Sequence, residues 1–222
     1  MSFPFKIHQV AGSEALAEFS ALQKAGGGHP VILGDADSFD RIKEAYEGNA
    51  DQSAEELIAV ARTIDPANWF VQRQAEDPEY YDMEEDEWPG EESANDHGLS
   101  SHRDVLTGQP YPVVNIAVIP APYVWMVPCY LRIGGWNECP DAPVHAALFK
   151  YWGEKYGATV ACVTSDVIEM QVTKPPTSKE AALELAKEQY LYCPDIVDQG
   201  TESIEALAAG LIDSKVWFFW WD

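Results

Sequence analysis

Val216-Trp217-Phe218-Phe219-Trp220-Trp221-Asp222 is the stretch on which the reading of this chain turns. A run this apolar and β-prone fits a strand buried on both faces. Burying one such ring contributes roughly 1.5–3 kcal/mol. Left in water, the same run would invite aggregation. The rest of the C-terminal half is therefore expected to pack over it. The other use of such a run is an aromatic binding platform, but buried strands are the commoner one.

Working outward, Ile204, Leu207 and Leu211 recur at helical spacing just before this run. Thr177-Ser178-Lys179-Glu180 reads as a capping box. It opens a helix through Leu183, Leu185 and Tyr190 that ends at Cys193-Pro194-Asp195. Residues 159–163 and 167–172 read as two strands of a hairpin turned by Ser165-Asp166. Before them, Pro143 suits the first turn of a helix whose Leu148, Trp152 and Tyr156 share one face, and Gly157 stops it. Gly134-Gly135-Trp136-Asn137 is a turn. Residues 124–133 read as a strand in which Pro128 marks an edge or a bulge. The C-terminal half thus predicts β-α-β-β-α-(α)-β, the split βαβ pattern of ferredoxin-like sheets, in the α+β class with helices mainly on one face.

The first third reads β-α-β-α-α and is expected to pack with that half. Residues 6–10 alternate as a strand, and Ser13 can cap a helix through Leu16, Phe19 and Leu22 that Gly26-Gly27-Gly28 ends. Val31-Ile32-Leu33 is a strand closed by Gly34-Asp35, and Ser38 can cap the next helix. Ser53-Ala54-Glu55-Glu56 is a capping box. The triple glycine lacks the lysine and the strand-glycine-helix order of a phosphate loop. Trp69-Phe70-Val71 and residues 113–119 read as further strands. Three parts follow: an α/β subdomain at 1–75, an acidic aromatic loop region at 76–110, and an α+β domain at 111–222.

Charge bounds the partners. With 37 acidic and 14 basic side chains the net charge is −23. Nucleic acid and anionic membrane surfaces need basic patches, so both are disfavoured, and a basic protein partner or cations are favoured. Acidity also serves plain solubility. No run reaches the roughly 18 apolar residues of a membrane span. Met1-Ser2-Phe3-Pro4-Phe5-Lys6 has no long apolar stretch, so no export signal is expected. Cys129, Cys139, Cys162 and Cys193 are far apart and form no C-x-x-C, so reduced, buried thiols are expected, without disulfides or a bound metal.

From Glu76 to Glu92 there is no basic residue. Asp82, Glu84, Glu85, Asp86 and Glu87 are interleaved with Tyr80, Tyr81, Met83 and Trp88. Acid plus aromatic suits docking on a basic, partly apolar surface. A solvated loop pinned by Trp88 is the plainer alternative. Asp96, His97, His102 and Asp104 have metal-ligating chemistry but lie in a stretch read as loop, and no metal site is expected. Cys139 at a helix start with His145 nearby could form a nucleophile pair, although no orienting third group is evident. Asp195 and Asp198, with Asp222, could serve as paired carboxylates or as caps and ion pairs.

Several C-terminal motifs carry a resemblance. They are Gly134-Gly135-Trp136-Asn137 with Cys139-Pro140, Tyr151-Trp152, Tyr156-Gly157-Ala158, Glu188-Gln189-Tyr190, Tyr192-Cys193-Pro194-Asp195, Asp198-Gln199-Gly200 and Phe219-Trp220-Trp221-Asp222. Over about the last hundred residues the chain resembles a bacterial domain-of-unknown-function family, numbered four-two-five-three. That family carries no established activity and transfers no catalytic role or cofactor. The resemblance implies a bacterial, cytosolic domain and an association with immunity genes beside polymorphic toxins. The function expected is an acidic cytoplasmic immunity protein that neutralises a toxin by direct binding, with Asp82, Glu84, Glu85, Asp86, Glu87, Trp88, Trp136, Asp195 and Asp198 as its contact residues. The alternative is a small hydrolase or transferase using Cys139 with His145, or Asp195 with Asp198.

Overall fold

The computed structural model describes residues 3–78, 81, 83, 87–89 and 98–222. One open six-stranded sheet runs through both halves of the chain, in the order β1-β3-β2-β4-β5-β6. Its strands are β1 (Lys6–Val10), β2 (His29–Ile32), β3 (Val114–Ile119), β4 (Thr159–Val163), β5 (Val167–Gln171) and β6 (Val216–Trp220). β2 and β4 are parallel, and every other neighbouring pair is antiparallel. The α+β class is as read from the sequence, and the sheet is mixed.

Alternation sorts the sheet residues into two layers. Val31, Leu33, Ala117, Ile119, Val160, Val163, Ile168 and Met170 face the larger core. Most helices cover that face: α2 (Ala36–Gly48), α3 (Ala54–Ala61), α5 (Val127–Leu131), α6 (Ala142–Tyr156), α7 (Lys179–Tyr192) and α8 (Ile204–Leu211). On the other face Ile32, Val114, Ile116, Ala161 and Cys162 meet Ala15 and Phe19 of α1 (Ala15–Ala25), together with Leu99.

The aromatic run is β6, with Trp217, Phe219 and Trp221 buried. Trp152 of α6 stacks on Phe219 at 5.8 Å and meets Trp217 edge-on at 5.9 Å. The expectation of burial on both faces is corrected. β6 is an edge strand paired only with β5, and Phe218, opposite Glu169 on the far face, is 46% exposed. A sheet edge that helices cover on one side needs only every second residue to be apolar. The neighbours of β6 also differ from a ferredoxin-like sheet, because β6 lies beside β5 at the sheet edge and not beside β3.

Two further strand readings are corrected. Residues 124–133 form a short 3-10 turn, Val124–Met126, and then α5. Pro128 falls in the first turn of α5, where its missing N–H is no loss, and left-handed Arg132 ends it. Trp69-Phe70-Val71 belongs to α4 (Pro66–Glu76), which Asp65 caps through the Ala67 N–H with Pro66 behind it. Three caps also move. α1 follows a 3-10 turn with Glu14 as its N-cap, Asp35 rather than Ser38 caps α2, and Ser178 rather than Thr177 caps α7. The Ser53–Glu56 capping box on α3 is present as read.

Candidate functional site

The motifs of the C-terminal half converge in space. Glu188 of α7 accepts hydrogen bonds from Tyr151 Oη (2.7 Å) and Trp152 Nε1 (2.8 Å), locking α7 to α6. Lys155 pairs with the same carboxylate at 3.2 Å. Beyond α7, the Cys193 thiol donates to the Trp220 carbonyl at 3.0 Å, and Asp195 accepts the Asp222 N–H at 2.9 Å. Asn137 Nδ2 donates to the Asp222 carbonyl at 2.6 Å. Each repeated Cys-Pro-Asp therefore has its own task. In the second, Cys193 and Asp195 hold the end of β6; in the first, Asp141 caps α6 through the Val144 N–H.

A cavity of about 80 Å³ adjoins this clamp, where α2 and the turn after β4 meet the 134–139 turn. Arg41, Trp136, Asp166 and Trp221 line it, with Cys139 and His145 at its wall. Gly134 takes φ 89° there, and a Cβ on it would collide with the Pro140 carbonyl and sit 2.7 Å from His145 Nε2. Only glycine meets both demands.

Cys139 and His145 are brought together, as the sequence suggested, with Sγ 3.5 Å from Nε2. The third group is Tyr192, whose hydroxyl is 2.6 Å from His145 Nδ1. Burial, however, pushes the Cys139 thiol up to about 12. It pushes His145 down to about 3, against a smaller opposing effect of a hydrogen bond to the Pro140 carbonyl. The ring thus has the Cys139 thiol at Nε2 and the Tyr192 hydroxyl at Nδ1, and burial keeps both thiol and ring neutral. The three groups form a buried chain in which the thiol and the imidazole are both held neutral, not as a thiolate–imidazolium pair.

Asp195 and Asp198 have separate hydrogen-bond partners. Asp195 accepts from Gln199 (3.0 Å) as well as from Asp222, while Asp198 accepts from Tyr190 Oη at 3.1 Å. They do share a side of the molecule with Trp136. Arg73 of α4 pairs with Glu138 beside Trp136 and with Glu76, and its guanidinium lies 5.2 Å from the Tyr81 ring centre. Tyr81, buried, meets Tyr190 at 5.8 Å. Glu138 and, through Asn137, Asp222 thus lie at the 134–139 turn, Asp195 joins through Asp222, Glu76 through Arg73, and Asp198 through Tyr190 and Tyr81.

Asp82, Glu84, Glu85 and Asp86 of that segment lie outside the described residues, as do Tyr80, Asp96 and His97. Glu87 is exposed. Trp88 is half-buried, packs against the main core and has Lys179 Nζ 4.4 Å from its ring centre. His102 is buried with Arg103 Nε donating to its Nε2 at 2.9 Å, and Asp104 caps the Thr107 N–H. The four cysteines are buried, free thiols. Among the described residues no helix is long and apolar enough to cross a membrane.

Reading the sequence alone missed Glu169. It is a buried carboxylate in β5 that accepts four hydrogen bonds of 2.7–3.0 Å, from N–H and hydroxyl of Ser100 and of Ser101. It ties the 98–101 segment to the far face of the sheet. Its only signal is a charge at a position of β5 flanked by Ile168 and Met170.

Neither the curated proteins nor the solved structures include a match to this chain. Residues 115–222, which hold β3 to β6 and the whole clamp around Asp222, match the family model of the domain of unknown function DUF4253.

Proposed function

We propose that this chain is an acidic, cytoplasmic binding protein, an immunity protein that neutralises a bacterial toxin by direct binding to a basic surface. The observation that carries the reading is the acidic cluster at the 134–139 turn beside half-buried Trp136: Glu138, Asp222 held by Asn137 and Asp195 held by Asp222, with Glu76 joined through Arg73 and Asp198 through Tyr190 and Tyr81. A net charge of −23 supplies long-range attraction for a cationic partner. The aromatic residue and the rigid turn supply a short-range anchor. Hydrolase or transferase chemistry through Cys139 and His145 has less support, because burial disfavours both the thiolate and the protonated ring.

The test is co-purification of the chain with a candidate toxin domain from a neighbouring gene, and protection of cells that express that domain. A stable complex with protection is expected. A toxin domain that stays separate on gel filtration, and kills cells regardless of this chain, would overturn the reading.

A further inference from the structure

A second surface, remote in chemistry from the acidic face, lies between the end of α3, α6 and the 123–125 turn. It is a groove of about 550 Å³, continuous through shared lining residues with a smaller hollow of about 140 Å³. Tyr123 and Trp125 present near-parallel rings, 14° apart with centroids 6.4 Å from each other, and Tyr123 is 61% exposed. Lys150 Nζ lies 5.8 Å from the Trp125 ring centre, and Arg62 lines both hollows. Neither cation forms an ion pair among the described residues. In a chain with 37 acidic side chains against 14 basic ones, two cations flanking exposed Tyr123 and half-buried Trp125, with no ion pair among the described residues, are a local reversal of charge. The one acid of the groove is exposed Glu154.

We propose that this groove binds a nucleoside phosphate. The three chemistries along it match the three parts of that ligand. The Tyr123 and Trp125 faces offer stacking to a planar base. Arg62 and Lys150 offer charge-assisted hydrogen bonds to phosphate oxygens. Glu154 offers an acceptor to ribose hydroxyls, as acidic residues do in other nucleotide sites. The groove falls within the roughly 300–1,000 Å³ typical of small-molecule sites. The proposal is independent of the toxin-binding reading, since none of these residues belongs to the acidic face.

The test is fluorescence anisotropy of mant-labelled ADP titrated with the full chain at low salt, with ADP, adenosine and pyrophosphate as competitors. Saturable binding is expected, displaced by ADP at lower concentration than by either fragment. Tyr123→Ala should weaken it about ten-fold, in line with the loss of one base-stacking ring. Arg62→Gln and Lys150→Gln should each weaken it several-fold and flatten its salt dependence. All three side chains are at the surface, and a circular-dichroism melt matched to wild type establishes that each variant is folded. Absence of saturable binding, or binding unchanged in all three folded variants, would overturn the proposal.

Discussion

Asp195 accepts the backbone N–H of Asp222 at 2.9 Å, so the residue that follows α7 holds the end of the aromatic strand. Asp195→Ala removes this acceptor and the one that Gln199 uses. Hydrogen bonds to a charged group contribute about 1.5–3 kcal/mol when buried, and Asp195 is half-exposed, so a loss of about 1 kcal/mol is expected. Urea unfolding monitored by tryptophan fluorescence measures it. An unchanged midpoint would mean that β6 holds its end without the clamp.

Gly134 carries a harsher constraint, from its positive φ and from the carbonyl and imidazole packed against it. Gly134→Ala should cost more than about 3 kcal/mol, because strain and collision add. The thermal midpoint should fall steeply, or the variant should fail to accumulate. Gly135→Ala is a control with positive φ alone, since the nearest atom to its Cβ would be 3.9 Å away. It should cost less.

His145 titrates near 6.5 when unfolded and is held down to about 3 in the fold by burial. Between those values the unfolded chain binds a proton that the native chain does not. Stability from this group is therefore complete above about pH 6.5 and is lost as pH falls toward 3, by at most about 1.4 kcal/mol per unit. The ring resonances of His145 should stay those of a neutral imidazole down to about pH 4. A midpoint near 6.5 in the native protein would show that the site is hydrated and open.

Glu169→Gln tests the far face. Glutamine offers one acceptor oxygen where four donors converge and turns an N–H₂ toward two of them. A loss of about 2–4 kcal/mol is expected, with faster amide exchange at Ser100 and Ser101. Exchange at wild-type rates would mean that the 98–101 segment is held from elsewhere.

Much of the fold was legible where local chemistry and packing agree. The Ser53 and Glu56 pair and Gly157 each point to one local structure, and the apolar run 216–221 points to a strand, though not to its exposed far face. The misreadings fall where an apolar run is short and its period ambiguous. Residues 124–133 are apolar enough for a strand, yet Pro128 is better placed in a helical first turn than in a ladder. Trp69-Phe70-Val71 looked β-prone until Asp65-Pro66 is weighed as a helix start. At the site, Cys139 and His145 are six residues apart and could be paired from sequence, whereas Tyr192 stands 47 residues beyond His145 and reaches it only through the α6–α7 packing. Asp195 and Asp198 looked like one pair by spacing alone, and their separate partners come from Asp222 beyond β6 and from α7.

The acidic face is the centre of this account, and the kinetics of capture test it most directly. The wild type is compared with a variant carrying Glu84→Gln, Glu85→Gln, Asp86→Asn, Glu87→Gln and Asp198→Asn, against any candidate toxin domain found in a neighbouring gene, by surface-based kinetics from low to high salt. The account predicts association slowed about ten-fold at low salt in the variant, with the two proteins converging at high salt as screening removes the steering. Association rates that match at every salt concentration would contradict it.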